Sequence, residues 1–265
     1  MHKNGHSRSI RLAIAGLGNC AASLIEGLAY YRQNPDDDAG LLFPTLAGYS
    51  VRDIEIVAAF DVSARKVGCP VEVAIYQPPN NFVRLAGVNV DCPVLVSRGP
   101  TLDGNRPHLA KFVPESSAEP VEAAEVLKAA GAQVLVNVLP TGSIDASEYY
   151  SQAALAAGCA FVNCIPTVLA QRPEVQAAFC EAMLPLLGDD IKSQIGTTIL
   201  HRAVLHMLES RGATLAKSSQ VNIGGNTDFA NFVKSNSAGS IVDLIRVAQG
   251  ARDQGRGGVQ ANLTR

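Results

Sequence analysis

Residues 10–21 of the chain read IRLAIAGLGNCA, an apolar run that stops at a glycine-rich turn. The run from Ile10 to Ala15 predicts a buried strand, and the Ala- and Leu-rich stretch from Cys20 to Tyr31 predicts a helix after it. The turn between them matches the pattern G-x-G-x-x-A. In that pattern the first glycine allows a tight turn, the second lets the backbone approach a pyrophosphate, and a small third residue permits close strand–helix packing. The stretch therefore predicts a dinucleotide-binding unit, with an ordinary strand–helix turn as the alternative.

An acidic residue at the end of the next strand strengthens this interpretation. The run from Ile54 to Phe60 predicts a second strand that ends at Asp61, whose carboxylate could accept hydrogen bonds from the hydroxyls of an adenosine ribose. The spacing is longer than usual because a loop rich in Pro, Gly and Asp, Asn34 to Ser50, intervenes. A carboxylate at this place would repel a 2′-phosphate, so the pattern favours NAD over NADP.

Apolar strands and helical stretches alternate along most of the chain. After Asp61 the pattern predicts a weak helix at Ala64–Ile75, strands at Pro93–Ser97, Val134–Leu139 and Ala160–Cys164, and helices at Pro120–Ala130 and Ser143–Ala157. Gly158 would end the last of these helices. This alternation predicts an α/β fold with a Rossmann-like doubly wound parallel sheet.

The pattern changes near Asp189. It predicts a strand from Leu184 that runs into a polar turn, a long amphipathic helix at Ile195–Arg211, a strand at Gln220–Ile223 and a final helix at Ser240–Ala251. We therefore expect a disordered tail at 1–9, an NAD-binding Rossmann-like domain at 10–188, a reduced catalytic and oligomerisation domain of the α+β type at 189–239, and a loose tail at 252–265. The closing helix, 240–251, could pack back on the first domain.

Composition limits the classes of function. The 265 residues carry a formal net charge of -2, which gives no electrostatic footprint for nucleic acid or an anionic membrane. No apolar run is long enough to span a bilayer, and the polar start MHKNGHSRS does not look like a targeting segment. The six cysteines form no C-x-x-C pair and have no ligands at zinc spacing, which favours free thiols and no metal site. We expect a cytoplasmic protein without nucleic-acid or membrane partners.

Seven segments spread along the chain form a recognisable series. They are GLGNCAASLIEGLAYY, IVAAFDVSARKVG, RGPTLDG, VLVNVLPTGS, AFVNCIP, GDDIKSQIGTTILHR and VNIGGNTDF, from about Arg11 to Phe232. In this order they resemble the landmark segments of the inositol-3-phosphate synthase (myo-inositol-1-phosphate synthase) family of bacteria and archaea, and GDDIKSQ and GGNTDF are the most specific. The resemblance implies NAD bound on a Rossmann domain and a second domain that carries the active site and builds a homo-oligomer, a dimer or tetramer.

The resemblance also implies a reaction. It is the isomerisation of the sugar phosphate D-glucose 6-phosphate to 1D-myo-inositol 3-phosphate by oxidation, enolisation, intramolecular aldol closure and reduction. Cations must offset the charge of the phosphate, enolate and alkoxide, and a base must take the C6 proton. Lys192 in GDDIKSQ is the candidate cation, flanked by Asp189 and by the second catalytic candidate, Asp190.

The positions that match the family's cofactor and substrate contacts are Gly16, Gly18, Asn19, Cys20, Asp61, Tyr150, Ser193 and Asp228. Asn137 is a further cofactor-binding candidate, because it lies near the carboxyl end of a strand, where doubly wound folds bind ligands.

Several candidates have a structural alternative. Lys192 could be a solvated lysine, Asp190 an N-cap of the long helix, and Asp228 part of an Asx turn. Tyr150 could serve packing alone, and Asn137, like Asn163, could satisfy backbone groups in the core. The two histidines of the long helix, His201 and His206, are five residues apart, so they do not share a face and are not expected to be catalytic.

The sequence departs from the family after GGNTDF. The family continues there with a lysine-rich segment of the type SKKISKT and several strands, whereas here VKSNSAG and the final helix follow almost at once. The missing block would leave exposed apolar edges and remove lysines, one of which Lys234 could replace. A natural short homologue, a deletion, or an omitted internal segment would each explain the gap. A non-catalytic NAD-binding homologue or subunit, and a sugar-phosphate or cyclitol dehydrogenase, therefore stay open as alternative functions.

Overall fold

A seven-stranded parallel sheet with helices on both faces forms the centre of the protein. The structure is a computed structural model that describes residues 9–105, 112–191, 197–219 and 238–260. Within these ranges the strands are β1 (Ile10–Ala15), β2 (Thr45–Leu46), β3 (Tyr49–Ser50), β4 (Ile54–Asp61), β5 (Val96–Arg98), β6 (Val134–Asn137), β7 (Ala160–Asn163), β8 (Pro185–Leu187) and β9 (Gly258–Val259). The helices are α1 (Asn19–Gln33), α2 (Val71–Ala74), α3 (Ala123–Ala129), α4 (Ile144–Ala157), α5 (Pro173–Glu181), α6 (Thr197–Ser210) and α7 (Ala238–Asp253).

The strand order confirms the predicted doubly wound topology. The sheet runs β5-β4-β1-β6-β7-β8-β9, and every adjacent pair is parallel. From β1 the chain moves outward through β4 and β5 on one side, and it then returns to β6 and moves outward on the other. The direction of winding therefore reverses between β1 and β6, where Ala15 is paired with Asn137. Ligands bind at such a switch point in open α/β sheets.

The central strand β1 is buried on both faces. Its residues Ile10, Leu12 and Ile14 belong to the core under α1 and α7, while Ala13 and Ala15 belong to the core under α3 and α4. Burial on both faces explains why the strand is a continuous apolar run instead of an alternating one.

The structure differs from the sequence-based expectation at two helices. The helix expected at Ala64–Ile75 is reduced to α2, because Gly68 takes a positive φ of 78° and Pro70 stands directly before the helix. The helix α5 was not predicted, although Pro173 at its start is a typical first-turn residue. Gly158 does end α4, in the left-handed conformation with φ 71°.

The prediction of a loose tail at 252–265 is wrong for Gly258–Val259. The amide of Gly258 donates to the carbonyl of Leu184 at 2.9 Å, so this segment adds the seventh strand beside β8. The approach needs a glycine at position 257, where an added Cβ would lie 2.6 Å from the Cα of Met183. A strand of two residues has too little pattern to be found in a sequence.

Helix α7 packs on α1 and on the strands β6, β7 and β8. Its Arg246 is fully buried and pairs with Asp243, one turn earlier. The same guanidinium donates to the carbonyls of Phe43 at 2.9 Å and Pro44 at 3.2 Å. Burial raises the pKa of the Asp243 carboxyl, and Arg246 opposes that rise. The insertion 34–50 is therefore fastened to the closing helix.

Most of the side chains of helix α6 that the structure describes are exposed. The apolar side chains exposed on it are Ile199, Leu200, Val204, Met207 and Leu208. Exposed apolar surface was expected if a block of the second domain is missing.

The strand predicted at Gln220–Ile223 lies outside the described residues. No helix within the described ranges is long and apolar enough to cross a bilayer.

The buried pair in α7 gives a stability prediction. Arg246→Met should lower the free energy of unfolding by about 3 kcal/mol, because it leaves the Asp243 carboxylate buried without its partner. Urea denaturation measures the difference. The control is Arg256→Met at an exposed position, where we expect a change within about 0.5 kcal/mol. Two variants of equal stability would show that the pair contributes nothing.

Candidate functional site

The glycine-rich turn lies directly against the end of β6. Gly16 has φ +92°, and its amide donates to the carbonyl of Phe60 at 2.9 Å. An added Cβ at Gly16 would lie 3.1 Å from the carbonyl oxygen of Val138 and 3.2 Å from the Cα of Leu139. Both the positive φ and the close approach require glycine here. The turn is thus held between β4 and the β6–α4 connection.

Gly18 has a different environment. A Cβ added at this position would meet no heavy atom within 4 Å, so its Cα faces open space. Gly18 is also the N-cap of α1, and it provides no side chain to accept a hydrogen bond from the first turn. The first amides of a helix carry partial positive charge and lack partners inside the helix. Because Gly18 has no side chain, the cap position itself places no protein group in front of these donors.

A cleft of about 530 Å³ opens at the carboxyl ends of β1, β4 and β6. The predicted site residues that line it are Gly16, Gly18, Asn19, Cys20, Asp61, Tyr150 and Asp190. Their convergence places most of the predicted site at the switch point of the sheet. The described residues contain no group of three or more His, Cys, Asp or Glu side chains that could hold a metal ion.

Asp61 connects the end of β4 to the glycine-rich turn. Its Oδ2 accepts the amide of Leu17 at 3.0 Å, and its Oδ1 accepts the amides of Val62 at 2.8 Å and Ser63 at 2.9 Å. The ammonium of Lys66 lies 3.6 Å from Oδ2. Three amides and one cation therefore orient this carboxylate at the wall of the cleft.

Lys66 is a site residue that the sequence analysis missed. Its side chain is only 4% exposed, and its Nζ donates to the carbonyl of Leu17 at 2.7 Å and to Oδ1 of Asn80 at 3.0 Å. Burial lowers the pKa of this ammonium, and the nearby Asp61 carboxylate opposes that effect. The only sequence signal for Lys66 as a site residue was its place in the segment IVAAFDVSARKVG, five residues after Asp61.

The segment Gln77–Asn81 folds over the same turn and was also missed. Asn80 donates from Nδ2 to the carbonyls of Leu17 and Ile75, each at 2.8 Å. The predicted contact Asn19 exchanges two hydrogen bonds with Asn81, of 2.7 Å and 2.9 Å. The bonds to Leu17 and Asn19 join residues more than sixty positions apart in the chain, so no local pattern predicts them.

Tyr150 reaches the cleft from α4 while it is almost fully buried. Its ring centroid lies 5.5 Å from that of Phe60, and its hydroxyl would be 2.1 Å from a Cβ added at Gly99. Burial raises the pKa of the phenol, with a further rise from Tyr149 and Asp61, so the hydroxyl keeps its proton at neutral pH. It makes no hydrogen bond to the described residues, which leaves a donor at the cleft wall.

Asn137 does not line the cleft, in contrast to the prediction. It is fully buried, and its Nδ2 donates to Oγ of Ser147 and to Oδ1 of Asn163, both at 2.9 Å. Its Oδ1 accepts the amide of Leu139 at 3.2 Å. Asn163 in turn donates to Oδ1 of Asp189 at 2.8 Å. The two asparagines therefore hold neighbouring strand ends together, as the structural alternative describes.

Asp190 is exposed at the edge of the cleft, with φ 67°. Its Oδ1 accepts the amide of Ile191 at 2.9 Å. The alternative role of Asp190 as an N-cap depends on residues 192–196, which lie outside the described residues. The predicted residues Lys192, Ser193 and Asp228, together with Lys234, lie outside the described residues.

The two histidines of α6 are away from the cleft lining. His201 contacts Oγ of Ser218 through Nε2 at 2.6 Å, and His206 is exposed.

Asp103 fastens the loop after β5 to the start of α4. Its carboxylate accepts the amides of Ile144, Asp145 and Ala146, the last two at 3.0 Å. Burial acts to raise the pKa of this carboxyl, but the three amides and its own backbone amide prevail and lower it. This loop, RGPTLDG, forms one wall of the cleft.

A doubly wound parallel sheet with a glycine-rich turn and an acid at the end of the neighbouring strand defines the Rossmann-like class of α/β proteins. The family model described as Myo-inositol-1-phosphate synthase matches residues 196–240. The chain is 46% identical over 232 residues to the inositol-3-phosphate synthase of Mycolicibacterium smegmatis and 47% identical over 230 residues to that of Corynebacterium glutamicum. Each match covers 86% of this chain and 63% of the relative. The chain belongs to the myo-inositol-1-phosphate synthase family, and it spans about 63% of the length of these curated relatives.

Solved structures agree with the fold. The structure titled "Crystal structure of Ari2" superposes with a TM-score of 0.81 at 36% identity, over 94% of this chain and 88% of that chain. A myo-inositol-1-phosphate synthase-related protein from Thermotoga maritima superposes with a TM-score of 0.73 at 20% identity, over 95% of this chain and 90% of that chain, and this second likeness shows the fold alone.

The contacts of Asp103 give a prediction that depends on pH. Asp103→Ala should lower the free energy of unfolding by about 1 kcal/mol at pH 7, as expected for the loss of a helix cap. Because the folded pKa is lowered, this stabilisation is present above the unfolded pKa of about 4 and is lost as the pH falls through the folded pKa. Urea denaturation between pH 7 and pH 3 measures it. Glu119→Gln, at an exposed position, is the control. A difference that does not change with pH would contradict the assignment.

Proposed function

We propose that this protein binds NAD in the cleft and acts as an inositol-3-phosphate synthase, which isomerises D-glucose 6-phosphate to 1D-myo-inositol 3-phosphate. The observation that carries the proposal is the glycine-rich turn with Asp61 beside it at the switch point of the sheet. It is supported by 46% and 47% identity to relatives that are named inositol-3-phosphate synthase.

The residues of the cleft fit NAD. The open side of Gly18 and the amides at the start of α1 suit a pyrophosphate. A carboxylate has about four acceptor positions, so Asp61, which accepts three amides, retains capacity for a ribose hydroxyl. Its charge would repel a 2′-phosphate. When bound, NAD would supply the hydride acceptor for the first step and the hydride donor for the last.

The protein's own groups would handle protons and charge. The Tyr150 hydroxyl, held protonated by burial, can donate a hydrogen bond into the cleft. Asp190, exposed at the edge, is the candidate base for the C6 proton. As the C6–C1 bond forms, the oxygen on C1 takes up a proton, and Lys192 would offset the negative charge that develops. Ser193 and Asp228 would complete the lining of the site.

The exposed apolar side chains of α6 support assembly. Leu200 and Met207 are more than half exposed, at 58% and 52%, on the helix that the family model covers. Burying such side chains against a second copy would be favourable. The protein is proposed to be a cytoplasmic homo-oligomer, a dimer or tetramer, without nucleic-acid or membrane partners. A stable monomer in light scattering would contradict the oligomer.

A second candidate function follows from the length of the chain. Because it spans about 63% of the curated relatives and departs from their family after GGNTDF, a non-catalytic NAD-binding homologue or subunit is the alternative. The two candidates share the cleft and differ in turnover.

Turnover separates the candidates. The purified chain is first weighed by mass spectrometry to verify 27.8 kDa, and it is then incubated with NAD and glucose 6-phosphate. We expect inositol phosphate, read by phosphorus NMR, without net NADH. No product, with NAD still bound, would identify the non-catalytic homologue. Net NADH would identify a dehydrogenase.

The charge of Asp61 should decide between the two dinucleotides. Asp61→Asn keeps the shape of the side chain but removes the charge that faces a 2′-phosphate. We expect the preference for NAD over NADP to fall by about tenfold, as is typical for one charged contact. Calorimetry with both dinucleotides measures this ratio, and Glu119→Gln is the matched control for the loss of a carboxylate. An unchanged ratio would remove Asp61 from the ribose site.

A further inference from the structure

Lys66 is a buried cation that joins three separate parts of the chain. Its Nζ contacts the carbonyl of Leu17 in the glycine-rich turn at 2.7 Å, Oδ1 of Asn80 at 3.0 Å and Oδ2 of Asp61 at 3.6 Å. The first two contacts are hydrogen bonds and the third is an ion pair, so the ammonium, which has three donors and no acceptor, faces three protein oxygens. Burying a charge is costly unless it is fully partnered, and here each partner belongs to the wall of the cleft.

The first consequence concerns the charge of Asp61. Its side chain is 11% exposed, so water screens it little. A bare carboxylate at that depth would repel the phosphates of any dinucleotide in the cleft. The Lys66 ammonium offsets this charge from the protein side and leaves the carboxylate free to accept hydrogen bonds.

The second consequence concerns the peptide between Leu17 and Gly18. Lys66 and Asn80 both donate to the Leu17 carbonyl, at 2.7 Å and 2.8 Å. Because a peptide unit is planar, fixing this carbonyl also fixes the N–H of Gly18 on its opposite side. The Leu17 amide is fixed in turn by Asp61 at 3.0 Å. The turn that would meet a pyrophosphate is therefore held on both sides of Leu17.

We propose that Lys66 is the positioning residue of the nucleotide site. Together with Asn80 it holds the glycine-rich turn and the Asp61 carboxylate in the arrangement that accepts the pyrophosphate and the adenosine ribose of a dinucleotide. This inference rests on the proposed NAD binding. Lys66 acts through Asp61 and Leu17 and does not itself contact the reacting atoms.

Ligand binding to single variants tests this role. The probes are ADP-ribose, which carries the pyrophosphate and the adenosine ribose, and its 2′-deoxy analogue, both titrated by calorimetry. Lys66→Met replaces the side chain with an uncharged one that is a single atom shorter, and we expect about tenfold weaker binding of ADP-ribose. The control is Lys128→Met on α3, whose side chain is 50% exposed and pairs with Glu125. We expect that control to bind like the unaltered protein.

The analogue separates positioning from a general structural effect. In the unaltered protein, loss of the 2′-hydroxyl should weaken binding about tenfold; in Lys66→Met the same loss should cost less than about threefold, because Asp61 is no longer held in place. Weakening of both ligands in equal proportion, or unchanged affinity in Lys66→Met, would overturn the inference and leave NAD binding intact. If the unaltered protein binds neither NAD nor ADP-ribose, the cofactor proposal fails, and the inference with it.

A second variant tests the inference if the Lys66→Met protein does not fold. If its thermal unfolding shows that the variant is not folded at the temperature of the titration, Asn80→Ala replaces it. This change removes one donor to the Leu17 carbonyl and one acceptor of Lys66. We expect ADP-ribose to bind several-fold more weakly, again with a smaller effect of the 2′-hydroxyl. Binding equal to that of the unaltered protein would overturn the inference.

Discussion

The contacts around the Asp61 carboxylate hold together the part of the protein on which the cleft depends. This carboxylate binds the Leu17 amide at 3.0 Å and thereby connects β4 to the turn that leaves β1. Lys66 lies against both the carboxylate and the Leu17 carbonyl, so the same junction contains its own counter-charge. Removing either partner of such a buried pair is costly, because it leaves the other charge uncompensated. The donors at the start of α1 keep their direction through this junction.

The walls of the cleft are built by long-range contacts around that junction. On one side Asp103 binds the amides at the start of α4 and holds the loop after β5 in place. On the other side Asn81 is joined to Asn19 by two hydrogen bonds. Gly16 lets the turn approach the end of β6 to within van der Waals distance. Each wall is therefore held by hydrogen bonds of polar side chains or by the close approach that a glycine allows.

Much of the fold was predictable because strands buried on both faces carry a strong local signal. The apolar run of β1, the glycines of the turn and the acid at the end of β4 lie close together or in a known order, and the structure places them as expected. The two-residue strand β9 and the contacts of Asn80 carry no local pattern. Asn137 shows the limit most clearly: a strand-end asparagine could face a ligand or the core, and only its bonds to Ser147 and Asn163 decide for the core.

By itself, the sequence determined the class of fold, the position of the glycine-rich turn and the family. Local periodicity and backbone requirements such as the positive φ of Gly16 are properties of short stretches, so they can be read without a structure. Only the tertiary structure decided that Lys66 is a buried partner of Asp61, that Asn80 covers the turn and that the end of the chain completes the sheet. Those outcomes depend on which distant side chains share a desolvated space, and sequence separation carries no information about that.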